Sequence, residues 1–213
     1  AAQSLAVVFV NRALVAFGGD LAVSGYGLIQ RIMMFALMPG IVIGQGMQPI
    51  LGFNYGAERY DRALRVIKIA VIAATSYSIA AFFALYFGPE LFIRAFTTDS
   101  ELISLTVHAT RQIFFAAYFI GFIVVGSIVF QAIGKAGPAF VTAIARPALF
   151  LLPLVFILSD YWHLEGVWLA FPITDALTTV LVLALLIPEM KMFRRGEMKR
   201  VEPGFDPPGN HFK

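Results

Sequence analysis

Long apolar runs that never alternate leave this chain one economical fold, a bundle of membrane-spanning helices. Six can be marked, at residues 3–17, 21–51, 63–87, 102–133, 139–158 and 166–187. A helical span needs about 20 apolar residues, whereas a barrel shows short alternating strands instead. Composition agrees: 59% of the residues are hydrophobic and 14% charged, against about 25% charged in ordinary soluble domains. The expected class is therefore an all-α integral membrane protein with six transmembrane helices. The lobe is expected over 1–187, with its first helix truncated, and a polar cytoplasmic tail over 188–213.

The breaks between the runs are chemically distinct. Gly18-Gly19-Asp20, Gly52 to Asp61, Gly88-Pro89, Gly134 to Pro138 and Ser159 to Glu165 each hold strong helix breakers or charge. Asp99, within Thr97 to Glu101, supplies N-cap chemistry for the fourth run. Residues Glu90 to Phe96 read as a short amphipathic helix at the interface. One set of connectors and ends carries Arg59, Arg62, Arg65, Lys68, Lys135, Lys191, Arg194, Arg195, Lys199, Arg200 and Lys213. The other carries Asp20, Glu90, Asp99, Glu101, Asp160 and Glu165, with Arg94 as its basic residue. Basic connectors stay on the cytoplasmic side, so both ends of the chain are expected there. The net charge of +3 follows from this topology and calls for no nucleic-acid partner.

Ionisable groups inside the runs are costly and tend to face a bundle interior or a wet cavity. Here they are Arg12, Arg31, Arg111, Arg146 and Asp175. At about 1.5 Å per residue, Arg31, Arg111 and Asp175 lie roughly 13–15 Å below the outer end of their runs. By the same rise Arg146 sits roughly 10 Å in from the other side. Arg146 is expected either to hydrogen-bond carbonyls near the inner face or to pair with Asp175. One carboxylate cannot neutralise four arginines, so carbonyls, water or acids on another part of the molecule serve the rest. Gln112 projects about 100° from Arg111, which predicts that one of the two faces a cleft. Asn11 is a cleft residue or a packing contact between helices.

The stretch GQGMQPILGFNYGAERYDRALR (44–65) holds further candidates. Gly40 and Gly44 form a small-xxx-small pair that lets a neighbouring helix approach. Pro49 removes a backbone donor near the helix end. Gln45 and Gln48 point to one side, and Asn54 and Gly56 suit a turn needing positive φ. Met33, Met34, Met38 and Met47, with Phe35 and Phe53, suggest an adaptable apolar wall. Tyr161, Trp162 and Trp168 are expected at the outer interface. With no cysteine, and with His108, His163 and His211 scattered, no metal site or cofactor is expected. No clustered nucleophile or acid–base set points to an enzyme.

These residues resemble the multidrug and toxic compound extrusion (MATE) transporters, specifically the second half of the prokaryotic multidrug branch. The resemblance rests on residues 44–65 together with GGDLAVSGYGLIQRIMMFALMPG (18–40), FQAIGKAGPAF (130–140) and GVWLAFPITDAL (166–177). It implies a C-terminal six-helix lobe whose N-terminal partner is missing, in a bacterial or archaeal inner membrane. It implies efflux of amphipathic, often cationic, organic compounds by alternating access in exchange for H⁺ or Na⁺. Asn11, Arg31, Gln48, Arg111, Gln112 and Asp175 are then the expected substrate or ion pathway, and Gln45, Pro49, Asn54 and Gly56 the gating motif. Some members carry acids in helices seven and ten. Here the first run has none and the fourth only Glu101 at its outer lip, which places the coupling carboxylate in the other lobe. The alternatives are a lipid-linked-oligosaccharide flippase of the same superfamily, favoured by the excess of buried arginine, and a non-transporting half-size subunit.

Overall fold

The computed structural model describes residues 2–195. Among them there is no strand, and four continuous helical stretches are long and apolar enough to cross a membrane: Gln3–Gly56, Tyr60–Phe87, Ser100–Ala132 and Ala136–Arg194. Two of the four break internally, giving six spans as the sequence predicts. Helix α1 (Ala2–Gly56) breaks at Gly19, where φ is 62° and ψ −162°. A glycine adopts such a conformation without a side-chain clash. Helix α2 covers Tyr60–Phe87 and the short α3 covers Pro89–Arg94. The next span is α4 (Ser100–Ile113), a 3₁₀ segment at Phe114–Phe119, and α5 (Ile120–Ala132). The last two spans run from α6 (Ala136–Ile144) through a π-helical turn (Ala145–Leu151) into α7 (Leu152–Arg195). Helix α7 breaks at His163, which takes the left-handed φ of 50°.

The two ends of the bundle are built differently. At the acidic end the breaks at Gly19 and His163 lie side by side: the Phe17 and His163 rings are 5.3 Å apart. There the short α3 buries Pro89 and Ile93 but exposes the apolar Leu91 and Phe92 beside Glu90 and Arg94, and Asp99 caps α4 by accepting from the amides of Glu101 (2.9 Å) and Leu102 (3.3 Å). At the basic end two turns share one hydrogen-bond pattern. The amide of Arg59 donates to Asn54 O at 2.9 Å and that of Glu58 to Tyr55 O at 3.0 Å. The amide of Lys135 donates to Phe130 O at 3.0 Å and that of Gly134 to Gln131 O at 3.2 Å. Both are Schellman caps, which need one left-handed residue.

That residue is Gly134 (φ 75°) in the second turn but Glu58 (φ 58°) in the first. The expectation that Asn54 and Gly56 take positive φ is corrected accordingly. Asn54 is buried inside α1, donating from Nδ2 to Ile50 O at 2.8 Å, and Gly56 is the last helical residue.

Two apolar cores fill the bundle. The larger lies toward the acidic end and includes Leu14, Ile29, Ile93, Phe114 and Trp168; the smaller includes Leu51, Ile67, Val129, Phe130 and Phe193. Trp168 is thus core, with its ring beside Tyr26 at 6.3 Å; only Tyr161 and Trp162 are exposed as expected. Gly44 is pressed against Ile128 of α5, whereas Gly40 has open space, so the small-xxx-small pair works through one member. Helix α7 passes through Pro188 with Phe193 buried against Tyr55 and Tyr60. Residues 188–195, expected in the tail, are therefore helical; 196–213 lie outside the described residues.

Candidate functional site

Between the two cores on α7 lies a buried polar layer of Thr174, Asp175, Thr178 and Thr179. Thr178 and Thr179 donate their hydroxyls back to the carbonyls of Thr174 and Asp175, each at 2.7 Å, which leaves the Asp175 carboxylate free to face another helix. Its partner is Arg146, whose Nε donates to Oδ1 at 2.7 Å. Of the two readings left open for Arg146, the pairing holds. The pair forms because Arg146 and Asp175 enter from opposite ends of neighbouring spans and reach a common depth.

Local sequence sets the arginine's position. Pro147 has no N–H and cannot continue an i→i−4 ladder, and the chain widens into a π-turn from Ala145 to Leu151. Such turns are rare and are frequent at functional sites. Tyr26 of α1 lies within electrostatic reach of Arg146, and its hydroxyl accepts from the Gln30 amide. The second carboxylate oxygen, Asp175 Oδ2, is buried and meets no hydrogen-bond partner among the described residues. The layer can thus hold one charge pair and still present an acceptor.

A second polar region opens at the acidic end. A cavity of about 530 Å³ is lined by Glu90 and Arg94 of α3 and by Ser104, His108 and Arg111 of α4. A neighbouring cavity of about 390 Å³ is lined by Tyr86, His108, Arg111, Gln112, Leu169 and Pro172. Arg111 and Gln112 therefore share one cavity despite their angular separation, because the long arginine side chain reaches Tyr86 O at 3.3 Å. His108 and Gln112 meet Glu165 across 57 and 53 residues of sequence. At the basic end, Lys135 Nζ donates to both oxygens of Glu189, at 2.6 and 2.7 Å.

The remaining candidates are dispersed. Arg31, Gln45 and Pro49 are exposed on α1, and Asn11 and Gln48 are half-buried. Met34, Phe35, Met38 and Phe53 form exposed apolar surface, whereas Met33 and Met47 are core. The structure thus gathers Arg111 and Gln112 in one place and Asp175 with Arg146 in another. Sequence reasoning misses the glutamates: Glu165 reads as a connector residue and Glu189 as tail. The i, i+4 spacing of His108 and Gln112 is the local trace of the first. Among the described residues, no group of three His, Cys, Asp or Glu is placed to hold a metal.

Comparison with known proteins adds to this geometry. Residues 1–157 match the family model described as MatE. The multidrug export protein MepA of Staphylococcus aureus (strain MSSA476) is 24% identical over 173 residues, covering 79% of this chain and 38% of that protein. The MepA of Staphylococcus haemolyticus is 23% identical over 171 residues. Among solved structures, the MATE multidrug transporter DinF-BH superposes with a TM-score of 0.79 at 40% identity, over 91% of this chain and 43% of that one. A MATE protein in the bent conformation, 18% identical, shares the fold with a TM-score of 0.85. The chain spans less than half the length of the relatives it matches.

Proposed function

The chain belongs to the MatE family, and from that premise we propose that it is the C-terminal half of a multidrug efflux antiporter. In this reading it exports amphipathic, often cationic, organic compounds by rocking as one body against an N-terminal six-helix lobe, driven by H⁺ or Na⁺. The observation that carries the reading is the match to a multidrug transporter at 40% identity across 91% of the chain. The greater length of that transporter, of which this chain covers 43%, supports the pairing with a second lobe. The basic end, with Arg59, Arg62 and Lys135, faces the cytoplasm of a bacterial or archaeal inner membrane by the positive-inside rule.

Within this half, the Arg146–Asp175 pair is the part of the transport pathway best supported by geometry. A charge pair at membrane depth is costly to maintain, and this one sits on a π-turn with a carboxylate oxygen still available. Arg111, on the two outer cavities, is the second contributor.

The test is drug resistance conferred by the intact protein in a pump-deficient strain, wild type beside Asp175→Asn and Arg111→Ala, at matched abundance. Lost resistance with normal folding supports a place on the pathway. Unchanged resistance makes both residues structural and moves the working site to the other lobe. A wild type that exports no amphipathic cation favours the flippase reading. Repeating efflux in vesicles with a pH gradient or a Na⁺ gradient alone separates the two driving ions.

A further inference from the structure

Helix α2 has an unpartnered face that changes character once along its length. Arg62, Arg65, Ile69, Ile72, Ile79 and Phe83 are all exposed. At about 100° per residue they fall within one sector roughly 100° wide. Ala63, Ile67, Ala70 and Ala74 are buried on the opposite side, so the exposed sector points away from the packed half. From Arg65 to Ile79 it runs roughly 20 Å. The hydrocarbon of one leaflet is about 15 Å thick, half of a core of about 30 Å. The face is long enough to lie along an acyl chain, and it is basic only where a headgroup would stand.

A second helix completes the headgroup end. A cavity of about 580 Å³ is lined by Arg59 and Arg62 at the start of α2 and by Arg194 at the end of α7. Tyr60 and Phe193 line it too, and their rings, 5.9 Å apart, tie the two helix ends together. Phe193 belongs to the smaller core, which therefore holds Arg194 beside α2. Glu58 and Asp61 also line the cavity, leaving three arginines against two acids. Glu189, the nearest acid before Arg194 on α7, is held by Lys135. Among the described residues no ion pair takes up Arg59, Arg62 or Arg194. Arginine presents a planar fork that matches phosphate oxygens, and basic pockets between helices at the membrane surface bind anionic headgroups.

We propose that this cavity and the adjoining α2 face form a binding site for an anionic phospholipid of the leaflet at the basic end. Its phosphate meets Arg59, Arg62 and Arg194, and an acyl chain lies along Ile69 and Ile72. The occupant is a lipid because the exposed apolar sector continues from Arg65 into the hydrocarbon; a soluble anion has no use for it. Bound there, the lipid bridges the start of α2 and the end of α7. The site depends neither on the antiporter reading nor on the driving ion.

Fluorescence quenching of the intact protein in bilayers tests the site. The reporter Ile72→Trp is read in phosphatidylcholine bilayers with increasing fractions of chain-brominated phosphatidylglycerol, against the wild-type background. The expected result is quenching that prefers phosphatidylglycerol to brominated phosphatidylcholine. Arg62→Gln with Arg194→Gln should lower that preference at least about tenfold, as the loss of charge-assisted hydrogen bonds does. Lys68→Gln with Lys191→Gln removes the same charge from the same end, outside the cavity, and should lower it less. Equal losses in the two double variants reduce the attraction to diffuse surface charge and overturn the site. No quenching by either lipid also overturns it, since a second lobe then covers the face. Displacement of the lipid by soluble glycerol phosphate would make the ligand a free anion. Binding that appears only after removal of residues 196–213 would make that tail the occupant; either result overturns the proposal. Native mass spectrometry, counting phosphatidylglycerol bound to the two double variants, gives the same comparison without the reporter. Efflux is not read, so failure here leaves the antiporter reading standing.

Discussion

The Arg146–Asp175 pair and the His108–Gln112–Glu165 cluster share α7 but are buried to opposite extents within this chain. Asp175 is 1% exposed, and a single contact joins it to Arg146. His108 and Glu165 are 58% and 50% exposed and, with Gln112, make four contacts among the three residues. A buried charge has no water to fall back on, so losing its partner is expensive. An exposed one exchanges its partner for solvent at little cost. The difference teaches that the number of hydrogen bonds is a poor guide here: the sparser, buried site should matter more for stability than the richer, exposed one. Two further pairs lie along the same scale, Lys135–Glu189 at 24% and 11% exposure and Arg94–Glu90 at 63% and 55%.

The largest effect is expected at the buried pair. Arg146→Met should destabilise the intact protein by about 3–5 kcal/mol, because it strands a carboxylate in the bundle. The double variant Arg146→Met, Asp175→Leu should recover most of that loss, read as the unfolding midpoint in detergent. A double variant no better than the single one would mean that the pair holds the π-turn in shape, and the burial argument would fail.

Next comes Glu189→Gln at the basic end. It keeps the shape but removes the charge from an ammonium that donates to both oxygens. Charge-assisted hydrogen bonds contribute about 1.5–3 kcal/mol, and part of that survives in the amide, so a loss of about 1–2 kcal/mol is expected. The same melting experiment checks it, and the value must fall between its neighbours for burial to be the controlling variable. Glu165→Gln should cost less than about 1 kcal/mol, as exposed ion pairs do. That cost should shrink further at about 0.5 M salt, roughly three times the physiological level.

Much of this ordering could not be read from the sequence, for physical reasons. Spans and breaks are legible because apolar runs and breakers act locally: Gly18-Gly19 and Asp99 each perform their expected role within a few residues. Asp175 is legible because an isolated carboxylate in an apolar run must find a partner. Glu165 and Glu189 are not, because nothing local distinguishes an ion-paired glutamate in a connector from a solvated one; their partners lie 57 and 54 residues away. The turn at Glu58 misleads for another reason. Composition points to Gly56, but the cap's hydrogen bonds place the left-handed residue two positions later. Trp168 likewise reads as interfacial by position along its span, yet faces inward beside Tyr26.

The smallest effect belongs to Arg94→Ala. Arg94 and Glu90 are four apart on the short α3, with Arg94 Nε 2.8 Å from Glu90 Oε1. Exposed pairs at this spacing contribute about 0.3–0.5 kcal/mol, and water satisfies either group alone. Truncation should therefore move the unfolding midpoint by less than replicate scatter, even though Arg94 lines the 530 Å³ cavity. A loss above about 1 kcal/mol would exceed what an exposed pair supplies. It would show that α3 is held against α4 through Arg94, so that the acidic end is stiffer than its solvent exposure implies. The contrast with Arg146 would then rest on which helices a pair joins and no longer on burial alone.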